Sequence, residues 1–111
     1  MQLLERWALA VVALVAAAAA HPVCNLFFRC GCDLYGPAHC NIHHAAGPYC
    51  PWCAHRWAFP LVGAGWMATS MLCVGFARRR FGRHAFSTLG FGLAGLVIGM
   101  LLSGAATLAL Y

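Results

Sequence analysis

The chain has 111 residues, of which 63% are hydrophobic and only 8% are charged, and its formal net charge is +5 at pH 7. This balance excludes an ordinary soluble domain, in which about 25% of residues are charged. All seven basic residues are arginines, and four of them cluster at Arg78, Arg79, Arg80 and Arg83. A nucleic-acid-binding protein would spread basic residues over an accessible face. We therefore predict an integral membrane protein with no nucleic-acid partner.

The first predicted element, residues 1–20, is either a membrane anchor or a signal peptide. Its charge-free stretch, residues 7–20, has 14 residues, which is fewer than the roughly 20 that a helix needs to cross a bilayer core. Leucines just before that stretch extend it towards spanning length. Ala18 and Ala20, however, satisfy the small-residue rule for signal-peptidase cleavage. The sequence leaves both interpretations open.

The second predicted element, residues 21–57, is an irregular loop outside the cytoplasm. Its 37 residues hold five of the six histidines of the chain and six of the seven cysteines. A segment this short, interrupted by glycine and proline, cannot fold on an apolar core and needs covalent or metal cross-links. The six cysteines are Cys24, Cys30, Cys32, Cys40, Cys50 and Cys53.

Two short cysteine pairs in this loop, CGC and CPWC, predict a metal site. Each pair presents two thiolates from a tight turn, and 17 residues separate the pairs. Such spacing suits a four-ligand zinc site, and copper accepts the same mixture of thiolate and imidazole. We therefore predict a metal-binding module with structural zinc or with copper. The predicted ligands are Cys30, Cys32, Cys50 and Cys53, with Cys40, His39 and His43 as possible substitutes.

Thiol–disulfide exchange by the CPWC pair is the first alternative. A positive charge from Arg56 near Cys50 and Cys53 would lower the thiol pKa and raise reactivity. CPWC followed by Arg56 resembles the periplasmic CxxC of quinone-coupled disulfide-generating membrane proteins. The likeness spans about seven residues, and the chain lacks the four-helix bundle of that family, so its function is not transferred.

A disulfide-stapled accessory subunit of a larger membrane complex is the second alternative. Six cysteines form an even set, and an oxidising compartment would allow three disulfides. They permit fifteen pairings, among which the sequence does not choose. No catalytic carboxylate pair, serine triad or phosphate-binding glycine loop is present, which favours a protein that is not an enzyme.

The remaining predicted elements are a membrane helix at residues 58–77, a cytoplasmic basic turn at 78–85 and a second membrane helix at 86–111. Charge-free runs of 21 and 25 residues, at 57–77 and 86–110, are both long enough to span a bilayer. In the last helix, Gly92, Gly95 and Gly99 share one face, typical of close helix packing. This face is expected to pack within the chain or on another subunit, in a hetero-complex or a homo-oligomer.

The distribution of arginines predicts the orientation of these helices. Positive charge near helix ends stays in the cytoplasm, and placing the N-terminus there puts five arginines inside and leaves Arg29 and Arg56 in the loop. Trp52 and Trp57 then fall where an interfacial aromatic belt is expected. The full prediction is an all-α, multi-pass protein of the cell inner membrane, with its loop periplasmic or extracellular. It has three membrane helices, or two if the first is cleaved.

Overall fold

The structure is a computed structural model that describes residues 2–32, 50–55 and 57–110. These residues form helices α1 (Gln2–Phe28), α2 (Pro51–Ala54), α3 (Ala58–Phe81) and α4 (Ala85–Leu110), and they contain no strand. The described part of the chain therefore agrees with the all-α prediction. α1, α3 and α4 are each long and apolar enough to cross a membrane.

Helix α1 extends past residue 20, where the sequence placed the start of the loop. It continues through Pro22 and ends at Phe28. A proline removes one helical hydrogen bond, but membrane helices tolerate it where neighbouring groups compensate. The buried residues of α1 recur mostly at intervals of three and four and so share one face. They are Glu5, Ala8, Val12, Ala16 and Cys24.

A glycine turn connects α3 and α4. Gly82 has a φ of 84°, and its N–H donates to the carbonyl oxygen of Arg78 over 3.1 Å. Only glycine adopts this left-handed conformation at little cost, which is why it commonly ends helices. The turn lets α4 run back along α3.

Helix α4 packs against both α1 and α3 through its glycine face. A Cβ atom added at Gly95 would lie 2.7 Å from Ser70 Cα, and one added at Gly92 would lie 2.9 Å from a methyl carbon of Val12. Gly99 lies against α3 in the same way. The glycine face is thus covered within the chain. That another subunit also binds there stays a prediction.

Polar side chains lie inside the bundle, and large apolar side chains lie on its outside. Ser70 Oγ donates to the carbonyl oxygen of Gly92 over 2.8 Å, and Trp66 Nε1 donates to Ser103 Oγ over 2.7 Å. Large apolar side chains cover the outside of the long helices, among them Leu72, which is 75% exposed. A bilayer favours this arrangement because it offers no partner for polar groups and solvates apolar side chains.

A buried carboxylate joins the start of α1 to the α3–α4 turn. Glu5 is 4% exposed, and its carboxylate oxygens lie 2.7 Å from Arg78 Nη2 and 2.9 Å from Arg83 Nη2. In the sequence, these arginines indicate only the orientation of the helices. In the structure they also neutralise a buried charge, and they place the N-terminal end of α1 beside the basic turn.

Candidate metal centre

Five cysteine side chains meet at the end of the bundle opposite Glu5. We call this group the cysteine centre: Cys24, Cys30, Cys32, Cys50 and Cys53. Cys24 Sγ lies 2.7 Å from Cys50 Sγ, 3.3 Å from Cys30 Sγ and 4.0 Å from Cys53 Sγ. Cys32 Sγ lies 3.7 Å from Cys53 Sγ. Four of the five cysteines are at most 1% exposed, and Cys53 is half-buried.

The end of α1 positions three of these cysteines. Arg29 has a φ of 48°, and its N–H donates to the carbonyl oxygen of Asn25 over 2.8 Å. Gly31, with a φ of 83°, donates its N–H to Asn25 Oδ1 over 2.9 Å. Asn25 therefore stabilises a tight left-handed turn after the helix. This turn folds Cys30 and Cys32 back towards Cys24.

The short helix α2 positions the other two cysteines. Pro51 occupies its first turn, where the missing N–H costs little. Hydrogen bonds to the Cys50 sulfur from the Cys24 thiol and from the backbone N–H groups of Cys53 and Trp52 lower the pKa of Cys50 to about 6. The thiolate is the form that binds metals and attacks disulfides. Cys50 is therefore prepared for either chemistry.

The pKa of Cys30 shifts in the opposite direction to that of Cys50. Burial raises the pKa of its thiol, although the backbone N–H of Cys32 donates to the sulfur and partly opposes this effect. A buried thiol with a raised pKa stays protonated unless a cation takes the place of the proton. A bound metal ion would provide that cation.

An aromatic layer packs beside the cysteine centre in the same buried cluster: Phe28, Trp52, Phe59 and Trp66. Trp52 lies at its middle, with ring centroids 5.0 Å from Phe28 and 6.0 Å from Trp66. Its indole Nε1 donates to Thr107 Oγ1 of α4 over 3.0 Å. Trp52 is only 2% exposed, so it does not join an interfacial belt as the sequence suggested. It fixes the CPWC segment on α4.

The four predicted thiolate ligands come together in the structure, and Cys24 joins them. Cys24 is not among the predicted ligands, because the predicted first helix ends at residue 20, before that cysteine. Its position eight residues after Ala16, which places it on the buried face of α1, could have indicated that it belongs to the site. Among the described residues, only cysteines enter the groups that could hold a metal ion. Four other predicted site residues lie outside the described part of the chain: His39, Cys40, His43 and Arg56.

The sulfur positions suit a metal ion with small adjustments. A tetrahedral ion with thiolate bonds of about 2.3 Å holds its sulfurs about 3.8 Å apart. The distances from Cys24 to Cys53 and from Cys32 to Cys53, 4.0 Å and 3.7 Å, are close to this spacing. Cys24 and Cys50, at 2.7 Å, would have to separate by about 1 Å. The cysteine centre could therefore hold a metal ion.

Comparison of the chain with models of protein families, with curated proteins and with solved structures finds no match.

Proposed function

We propose that this chain is a membrane protein that binds Zn²⁺ or Cu⁺ through thiolates at one end of a three-helix bundle. The observation that carries the proposal is the convergence of five cysteine sulfurs from two separate segments. Thiolates are the ligands that Cu⁺ and Zn²⁺ favour. No histidine of the described residues enters these groups, so the donor set is soft.

Ordinary packing explains the cysteine centre less well than metal binding does. A cysteine commonly acts as a small apolar side chain, and the half-buried Cys73 in α3 fits that role. The sulfurs of the cysteine centre instead point at one another and accept backbone N–H groups at Cys30 and Cys50. Such hydrogen bonds stabilise a thiolate, and apolar packing has no need of them.

The proposal includes insertion in the inner membrane with α1 retained as an anchor. The outward apolar side chains and inward polar groups support insertion. Val12 contacts the glycine face and Glu5 pairs with Arg78 and Arg83, so cleavage after Ala20 would remove part of the bundle. With the arginine-rich end in the cytoplasm, the cysteine centre faces the periplasm or the exterior.

Metal content tests this proposal on the full chain purified in mild detergent. We expect stoichiometric zinc or copper by elemental analysis, and we expect it to be lost in a variant with four serine substitutions. The variant changes Cys30, Cys32, Cys50 and Cys53 to Ser. The control is Cys73→Ser, which removes a thiol from α3 and should leave the metal content unchanged. Substoichiometric metal that is the same in all three proteins would refute the proposal.

Thiol–disulfide exchange is the second candidate function, favoured by the Cys24 thiol, whose hydrogen bond to the Cys50 sulfur lowers the pKa of the attacking Cys50 thiol. The Cys24 sulfur lies 2.7 Å from that of Cys50 and 4.0 Å from that of Cys53. In this reaction the Cys50 thiolate attacks a substrate disulfide, and one substrate sulfur leaves with the electron pair. The Cys53 thiolate then attacks the mixed disulfide, the second substrate sulfur leaves, and a Cys50–Cys53 disulfide remains. Alkylation of these two thiols across redox buffers tests the reaction. A pair that stays oxidised at all physiological potentials would exclude it.

A further inference from the structure

We propose that the cysteine centre binds two Cu⁺ ions as a cluster and that Cys24 provides the thiolate that bridges them. This inference rests on the metal-binding function proposed above and adds the identity of the metal, the number of ions and the role of one residue.

The sulfurs form two groups of three that share Cys24. Cys24, Cys30 and Cys32 form one group, and Cys24, Cys50 and Cys53 form the other, with all sulfurs of a group within 4.8 Å of one another. The first group belongs to α1 and the turn after it, and the second combines Cys24 with the CPWC segment. Each group therefore offers three sulfur ligands, and Cys24 is common to both.

The number of sulfurs favours Cu⁺ over Zn²⁺ for a two-ion site. Structural zinc takes four ligands in a tetrahedron, so two zinc ions that share one thiolate would need about seven ligands. Cu⁺ is a soft ion that thiolates select, and it is satisfied by three sulfurs in a plane. Two such ions that share one thiolate need five sulfurs, which is the number that the described residues bring to the cysteine centre.

The distances agree with three-coordinate ions. Three sulfurs around an ion at about 2.3 Å lie about 4.0 Å apart, and Cys24 and Cys53 are separated by 4.0 Å. Relative to that spacing, the Cys24 sulfur must move apart from that of Cys30, at 3.3 Å, by about 0.7 Å and from that of Cys50, at 2.7 Å, by about 1.3 Å. An ion bound by Cys24 and by the other two sulfurs of a group would hold the three sulfurs at this larger separation.

Cys24 is suited to bridging by its burial and its position. It is 0% exposed and lies on the last turns of α1, between the CGC turn and the CPWC segment. Five thiolates carry more negative charge than two Cu⁺ ions neutralise. The backbone N–H groups directed at Cys30 and Cys50 offset part of this excess.

Anaerobic titration of the full-length, metal-free protein with Cu⁺ in the presence of a competing chelator tests the inference. We expect two copper ions per chain and a copper–copper distance in X-ray absorption spectra. Cys24→Ser should weaken both binding steps by about tenfold or more and abolish the copper–copper signal. Cys32→Ser and Cys53→Ser, which remove terminal ligands, should each weaken only one step. Cys73→Ser, which removes a thiol outside the cysteine centre, should retain both ions.

The outcomes separate this inference from the general proposal of metal binding. One ion per chain in the unaltered protein, whether zinc or copper, would refute the two-ion cluster and leave metal binding intact. A Cys24→Ser variant that keeps the copper–copper signal would refute the bridging role. No bound zinc or copper under any condition would refute both proposals. Because stoichiometry is measured first on the unaltered chain, a variant that fails to fold does not decide the test.

Discussion

Gly95→Ala is expected to lower the free energy of unfolding by about 1–3 kcal/mol, the usual cost of overpacking a tight interface. The added Cβ would lie 2.7 Å from Ser70 Cα and 2.8 Å from the carbonyl oxygen of Thr69. Both are backbone atoms of α3, which cannot move aside without shifting the helix. Unfolding of the purified protein in detergent by a denaturing surfactant measures the effect.

Gly90→Ala is the matched control for this prediction. Gly90 lies on the same helix, and an added Cβ there meets no atom within 4 Å. Because alanine has the higher helix propensity, this variant should be as stable as the original protein or slightly more stable. Equal losses of stability in the two variants would contradict the close packing of α4 on α3.

Removal of the metal ion is expected to have the largest effect on the cysteine centre. An ion present at about 1,000 times its dissociation constant stabilises the folded state that binds it by about 4 kcal/mol. A strong chelator should therefore lower the unfolding midpoint and open the segments that carry Cys30 and Cys50 to thiol alkylation and proteolysis. The bundle should keep its helical circular dichroism, since the interface of α3 and α4 contains no metal ligand.

The variant with four serine substitutions is the control for the chelator. It lacks most of the thiolates, so its unfolding midpoint should not respond to chelator and should resemble that of the stripped protein. Intrinsic fluorescence includes a contribution from this site, because Trp52, one of the four tryptophans, lies in the aromatic layer beside the cysteine centre. If the unaltered protein has the same midpoint and the same alkylation rate with and without chelator, metal does not stabilise this part of the fold.

The long helices could be predicted from the sequence because a long, charge-free apolar run is a local property of the sequence. Charge-free runs over residues 57–77 and 86–110 led to α3 and α4 within a few residues of their ends. The error at α1 has a physical cause. Pro22 is a strong helix breaker in water, whereas in a membrane helix it costs less, and the buried face that continues to Cys24 outweighs it.

The cysteine centre was only partly predictable for a related reason. The short spacing within the CGC and CPWC pairs indicates a site, and the structure brings both pairs together. Cys24 belongs to no short cysteine motif, and whether it reaches the cysteine centre depends on how far α1 extends. The pairing of Glu5 with Arg78 and Arg83 joins residues more than 70 positions apart, and the N–H of Trp52 reaches Thr107 in the same long-range way. Such contacts depend on helix packing, which local patterns do not specify.

We expect the sulfurs of the cysteine centre to hold a metal ion, and X-ray absorption at the metal edge tests this expectation most directly. On the full chain as purified, we predict a first coordination shell made only of sulfur, with at least three sulfurs per ion, that disappears in the variant with four serine substitutions. A shell of oxygen or nitrogen, or a well-folded protein that takes up neither zinc nor copper, would contradict the claim.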